Sequence, residues 1–251
     1  MDSGYADVNG LHMYYELHGD EGTPLVLLHG GVMTIELTYA SLLPSLTQRH
    51  RVIGVDFQAH GCTADIDRDL TYANLASDVV GLLDDLGIER AHVIGHSMGG
   101  GTALELAVNH PERLRSVVAI SASVRPEGTH PDLADPSTYA TSTRMPTEQD
   151  FADMAAAYAR VAPHPERFAD LPARSMTSLN GWSGWSEEQL AGITAPTLIV
   201  VGDHDFTTAA HAALMQELIP GSQLAILPGT THMQAPRRAD LLVPMLALFL
   251  E

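Results

Sequence analysis

The chain contains no lysine; all 13 of its basic residues are arginines. Chemistry that needs a lysine amine is therefore excluded: pyridoxal phosphate and Schiff-base catalysis, a Walker phosphate loop, and Ser-x-x-Lys hydrolysis. Cys62 is the only cysteine, so no intrachain disulfide and no Cys-x-x-Cys metal site can form. Positive charge is scarce: 13 basic residues face 31 acidic ones, for a formal net charge of −18. A field of that sign repels phosphates, which argues against a nucleic-acid partner or an anionic membrane surface. Long apolar runs are lacking too. The most apolar stretch, Leu241 to Leu250, is too short to span a bilayer and is interrupted by Pro244. Met1 to Asp7 carry neither the basic nor the apolar region of a secretory signal. A cytoplasmic location, without nucleic acid or membrane, is the expectation.

What the chain does have is a core. Its 251 residues are 45% hydrophobic, enough to fill one sizeable domain. Short apolar runs recur, closed by turn residues: Leu25 to Leu28, Val52 to Val55, His92 to Ile94, Val117 to Ile120, Leu198 to Val201 and Leu224 to Leu227. Runs that do not alternate suit strands buried on both faces of a parallel sheet. Tyr5 to Val8 and Met13 to Leu17 alternate better and suit an antiparallel edge. Leu75, Val79, Leu82, Leu83 and Leu86 share one helical face, with Gly87 as a stop. Strand and helix in alternation predict an α/β fold with a doubly wound, mostly parallel sheet.

The rhythm breaks from Ser123 to Gly192, where seven prolines and no convincing strand occur. Amphipathic stretches near Thr147 to Arg160 and Ser186 to Leu190 predict helices there. Residues 123–192 are thus expected to form a helical cap inserted into a core made of residues 1–122 and 193–251. Met154, Tyr158, Trp182 and Trp185 are the large side chains expected to wall a substrate pocket beneath it.

Gly95-His96-Ser97-Met98-Gly99-Gly100-Gly101 follows an apolar strand and opens a helical segment from Thr102 to Asn109. A Gly-x-Ser-x-Gly turn in that setting lifts a serine hydroxyl above the sheet edge, at a helix N-terminus that favours negative charge. A serine so placed needs a base, and the base needs a carboxylate. His110 ends the helix that Ser97 opens, and His130 and His164 fall in the cap segment. His232 instead follows the last strand, where strand carboxyl ends gather. After the strand ending at Val201 come Asp203, suited to a backbone-accepting turn, and Asp205, free to reach the imidazole; Asp203 stays the alternative acid. The strand ending at Ile120 is followed by Ser121, Ala122 and Ser123, without a carboxylate. His29-Gly30-Gly31 closes the Leu25 to Leu28 run. By itself that is an ordinary strand-to-loop turn; with Ser97 present, the Gly31 and Met98 N–H groups form a candidate oxyanion hole. His96 is expected to pack beneath the elbow. Asp203, His204, Asp205 and His211 invite a metal, but no metal-binding spacing surrounds them. No metal and no cofactor is expected.

His29-Gly30-Gly31, Asp56-Phe57-Gln58-Ala59-His60-Gly61, the Ser97 elbow, Gly202-x-x-Asp205 and Gly229-x-x-His232 together resemble the α/β-hydrolase superfamily. The likeness is to its small esterase, lactonase and cofactor-free haloperoxidase-like branch with a modest cap. It implies a serine hydrolase acting on a small, mostly neutral ester or lactone, with a carbon–carbon bond hydrolase, a perhydrolase or a non-catalytic receptor as alternatives. Two departures stand out. Gln58-Ala59 occupies the place where relatives carry Arg-Gly or Pro-Gly, and serine at the elbow disfavours epoxide hydrolase and dehalogenase chemistry, which use aspartate there.

Overall fold

The structure is a computed structural model and describes residues 2–251, apart from the side chains of Ala134 and Pro136. Eight strands form one sheet: β1 (Asp2–Val8), β2 (Leu11–His18), β3 (Thr23–Leu28), β4 (His50–Val55), β5 (Ala91–His96), β6 (Leu114–Ile120), β7 (Thr197–His204) and β8 (Gln223–Thr231). Their spatial order is β1-β2-β4-β3-β5-β6-β7-β8. The β1/β2 and β2/β4 pairs are antiparallel and all others parallel. The helices are α1 (Ile35–Tyr39), α2 (Leu43–Leu46), α3 (Tyr72–Asp85), α4 (Met98–Asn109), α5 (Pro131–Ala134), α6 (Glu148–Val161), α7 (Leu171–Met176), α8 (Glu187–Ala191), α9 (Ala209–Leu218) and α10 (Ala239–Phe249). Among the described residues, no helix is long and apolar enough to cross a membrane.

The partition of β3 explains why its sequence reads as an unbroken apolar run. Val26 and Leu28 pack with Leu75, Val79, Leu82 and Leu104 on the α3/α4 side. Leu25 and Leu27 pack with Tyr39, Leu242 and Leu246 on the α1/α10 side. With both faces covered, every position of the strand is a core position. Leu82, fully buried between α3 and the sheet, would cost about 2–5 kcal/mol on truncation to alanine.

Parallel register brings the carboxyl ends of the strands into line. Leu28 lies opposite both Val55 and Gly95, His96 opposite Ile120, and Ile120 opposite Val200. The loops beginning at His29, Asp56, Ser97, Ser121 and Asp205 therefore emerge on one edge, where open α/β sheets place their ligands. Between β6 and β7 the chain forms α5 to α8. Two of these helices start with reciprocal caps, Thr147 with Asp150 and Ser186 with Gln189. Arg160 pairs with Glu36 at 2.7 Å and Arg174 forks onto Asp65 with two contacts of 2.9 Å. These ion pairs tie α6 to α1 and α7 to the loop after β4.

Candidate active site

Ser97 occupies a backbone that side chains rarely adopt, with φ of 54° and ψ of −115°, and α4 starts at the next residue. So sharp a reversal leaves no room around it. A Cβ on Gly95 would meet the Gly99 carbonyl at 2.1 Å, and one on Gly99 would meet the Leu28 carbonyl at 2.3 Å, which makes glycine obligatory at both places. Ser97 also stands at the N-cap of α4, yet its hydroxyl makes no capping bond. It points to His232 instead: Ser97 Oγ lies 3.0 Å from His232 Nε2, and His232 Nδ1 lies 2.7 Å from Asp205 Oδ1. The three residues come from the ends of β5, β7 and β8 and form one hydrogen-bonded chain.

Asp205 is fully buried, and four donors hold it. Oδ1 accepts from His232 and from the Phe206 N–H at 2.6 Å. Oδ2 accepts from the Gly202 N–H at 3.0 Å and from the Ser121 hydroxyl. Burial works to raise its pKa, but the His232 ring and these hydrogen bonds prevail and keep the carboxyl below the usual carboxylate range. Asp203 does different work. Its half-exposed carboxylate accepts the Gly229 and Thr230 N–H groups, both at 2.9 Å, fixing the turn that carries β8 into His232.

Two rings pack on the imidazole of His232. Phe206 stacks on it at 3.8 Å between ring centres and 8° between planes; His96 lies against it at 4.9 Å. His96 is buried under the elbow and its Nε2–H donates to the His232 carbonyl at 3.0 Å. Burial pushes the His96 ring down to about 3, so it remains neutral beside His232. Neither Ser121 nor Phe206 is marked by the sequence as a functional residue. The one signal is adjacency: each stands at a strand end or directly beside the acid.

The loop His29-Gly30-Gly31 lies against the first turn of α4, since the Gly99 N–H donates to the His29 carbonyl at 3.1 Å. His29 Nδ1–H donates to the Gly30 carbonyl at 2.7 Å, and its Nε2 accepts from the Phe57 N–H at 3.1 Å. Among the described residues, the Gly31 and Met98 N–H groups have no protein acceptor.

Of the four side chains expected to wall a pocket, Met154 packs with Met33 of the His29–Met33 loop and with Met233, next to His232. Tyr158 packs with Ala59 and Leu171. Trp182 and Trp185 are placed elsewhere, which corrects their grouping with the other two. Both pack on Tyr72, Trp182 edge-on at 5.3 Å and Trp185 stacked at 5.9 Å, and the Trp185 indole N–H donates to Glu105 of α4 at 2.9 Å. The chain passes down the α3/α4 face before entering β7, and a buried indole needs an acceptor, which Glu105 provides. His211 likewise stands apart from Asp203 and Asp205 in role: its Nε2 accepts the Val124 N–H at 3.2 Å.

The departure in the loop after β4, Gln58-Ala59, has a structural account. Gln58 donates to Asp65 and to the Ile66 and Arg68 carbonyls, and accepts from Arg68. Arg68 in turn pairs with the buried Asp78 at 2.5 Å, so the guanidinium reaches this loop from a later position. Ala59 takes φ of 67°, the left-handed backbone that glycine adopts without strain.

The sequence pattern of the α/β-hydrolase fold family matches residues 23–236, and the chain belongs to that family. A RutD protein of Caulobacter vibrioides, whose name assigns it carbamate hydrolysis provisionally, is 38% identical over 123 residues, 48% of this chain and 45% of that one. The match thus spans under half the length of that relative. The 3-oxoadipate enol-lactonase 1 of Acinetobacter baylyi is 28% identical over 232 residues, 87% of this chain and 85% of its own. The enol-lactonase structure from Burkholderia xenovorans LB400 superposes with a TM-score of 0.76 over 98% of this chain and 99% of its own; at 24% identity that likeness concerns the fold.

Proposed function

We propose that the protein is a serine hydrolase that cleaves small, mostly neutral carboxylic esters or lactones through an acyl-enzyme on Ser97, with residues 123–192 as a helical cap over the site. The observation that carries this reading is the continuous Ser97–His232–Asp205 hydrogen-bond chain, with 3.0 and 2.7 Å links. In the first half-reaction Ser97 Oγ attacks the carbonyl carbon while His232 Nε2 takes its proton. Asp205, ionised and fixed, keeps the His232 proton on Nδ1 and stabilises the imidazolium that forms. The Gly31 and Met98 N–H groups receive the oxyanion. Collapse returns the proton to the leaving alcohol, and in the second half-reaction His232 deprotonates water to release the acid.

The neutral-substrate part rests on charge. Net charge is −18, and four of the five cap arginines are paired: Arg125 with Glu187, Arg160 with Glu36, Arg167 with Asp170 and Arg174 with Asp65. Arg144 donates to the Asp205 carbonyl at 2.6 Å. Met154, packed with Met33 and Met233, and Tyr158, packed with Ala59 and Leu171, are the side chains proposed to contact the acyl or alcohol group. Lactones enter the reading through the enol-lactonase relative. Carbamate esters are the second substrate class, through the RutD relative, and the same triad would pass through a carbamoyl-enzyme.

The test is a panel of p-nitrophenyl esters of increasing chain length beside lactones and a p-nitrophenyl carbamate, with fluorophosphonate labelling mapped to the modified residue. Labelling at Ser97 with turnover of an ester or lactone is the expected result. Turnover that persists in Ser97→Ala would sink the assignment.

A further inference from the structure

His60 lies outside the Ser97–His232–Asp205 chain, in the loop after β4, and is completely buried. Its Nδ1–H donates to the Gln58 carbonyl at 2.9 Å. That bond fixes the tautomer and leaves Nε2 as an acceptor. Nε2 is used twice: the Val32 N–H donates to it at 3.0 Å and the Ser175 hydroxyl at 3.2 Å. One donor belongs to the loop after β3 that carries Gly31; the other belongs to α7, between β6 and β7.

The loop needs such a hold. Val32 takes φ of 63°, a left-handed backbone that is rare for a β-branched residue and costs about 1–2 kcal/mol. It persists only where neighbours overdetermine it. The bond from the Val32 N–H to His60 fixes the peptide plane on one side of the Gly31 Cα, and the His29 contacts fix the loop on the other. Ser175 rests on the same spot, because a Cβ on Gly31 would stand 3.0 Å from Ser175 Cβ. The two-forked Arg174–Asp65 contact seats α7 one residue away.

We propose that His60 is a positioning residue which, by accepting from Val32 and Ser175 together, sets the oxyanion loop in its working geometry when α7 is seated. The proposal rests on the reading of Ser97 as nucleophile and Gly31 as oxyanion donor. Burial pushes the His60 ring down to about 4, so Nε2 stays an acceptor across the neutral range.

Three variants separate the arms. His60→Leu removes the acceptor and keeps bulk; His60→Gln places an amide oxygen near the Nε2 position; Ser175→Ala removes the α7 arm alone. Steady-state kinetics on p-nitrophenyl butyrate, inhibition by a trifluoromethyl ketone that forms a tetrahedral oxyanion, and melting temperatures are measured for each. Loss of an oriented oxyanion donor should lower kcat of His60→Leu by about 100-fold with KM within about threefold, and weaken ketone binding in parallel. His60→Gln should recover to within about tenfold of the parent, and Ser175→Ala should lose about three- to tenfold in kcat. The proposal is overturned by a His60→Leu protein with parental kcat, or by kcat losses that follow melting temperature and do not recover in His60→Gln. If His60→Leu fails to fold, an unchanged kcat in Ser175→Ala overturns the link to α7. A parent enzyme that turns over and labels at Ser97 beside a fully active His60→Leu sinks this proposal alone; absence of Ser97 labelling in the parent sinks both.

Discussion

Asparagine at position 205 cannot satisfy the donors that the carboxylate serves. Suppose the amide NH2 faces His232. The buried Phe206 N–H, which donates to that oxygen at 2.6 Å, then meets a donor. His232 must also accept at Nδ1, which moves its proton to Nε2 and removes the base opposite Ser97. Turned the other way, the NH2 faces the Gly202 N–H, which donates at 3.0 Å, while the Ser121 hydroxyl can rotate to accept. The tautomer then survives, but no charge stabilises the imidazolium. Both poses lower kcat; the first does so by about 10³-fold or more, judged from a mis-set triad histidine. Either also leaves one buried N–H unpaired, for about 1–3 kcal/mol of stability. Asp203→Asn meets the same mismatch at a half-exposed carboxylate, where water replaces the lost partner; kcat should fall less than about tenfold. Ester hydrolysis and urea unfolding, measured on both variants at one pH, decide the matter. A larger kcat loss in Asp203→Asn, or an Asp205→Asn enzyme within tenfold of the parent, would refute the reasoning and move the acid to Asp203.

Ser97→Ala should fold with an unchanged melting temperature, lose fluorophosphonate labelling and lose about 10³-fold or more in kcat; labelling that survives would place the nucleophile elsewhere. Ala59→Gly relieves a left-handed backbone but removes a methyl packed beside Tyr158. Its unfolding free energy should stay level or rise by up to about 1 kcal/mol, and a loss larger than that in urea melts would contradict the strain argument. Acid should destabilise the fold: His60 and His92 are pushed down to about 4 and His96 to about 3 by burial, so between pH 6.5 and 4 the unfolded chain binds protons that the native state refuses. Asp56, raised to about 7 by burial, works in the opposite direction over the same window and offsets one of the three histidines. Urea midpoints should therefore be highest above pH 6.5 and fall toward pH 4.5; a midpoint that rises on acidification would mean that Asp56 prevails. A neutral ester should show higher kcat/KM than an anionic one of matched size, with a gap that narrows at high salt. A strong preference for the anion at low salt would instead nominate Arg144 as its partner.

The parts of this protein that were legible in the sequence are those where local chemistry and global position coincide. The strand at Leu25 to Leu28 could be read because both its faces are covered, and the elbow because Gly95 and Gly99 admit no side chain. The reading of α4 begins at Thr102, whereas the helix begins at Met98. Gly99, Gly100 and Gly101 are poor helix formers, and close packing puts them there in spite of propensity: Gly99 against the end of β3, Gly100 against Ile120 and Ala122, and Gly101 against the Tyr72 ring. Pro244 obscures α10 in the same way: it sits inside the helix, where packing of Leu242 and Leu246 outweighs one missing backbone bond. Trp182 and Trp185 were indistinguishable by type from Met154 and Tyr158, and only the path of the chain between β6 and β7 separates them.

The supports of the site lie beyond this limit for a definite reason. Ser121 reaches Asp205 across 84 positions and Ser175 reaches His60 across 115, and neither pair sits in a spacing motif. Each is a neutral or uncharged partner that completes the valence of a group already buried. Such a residue is selected by one unpaired lone pair or N–H, and many residue types at many positions could meet that need. The proposed triad is constrained by chemistry to three residue types at three strand ends, whereas its holders are constrained only by geometry. A variant at His60 or Ser121 therefore tests the fold's contribution to catalysis, and a variant at Ser97 tests the chemistry itself.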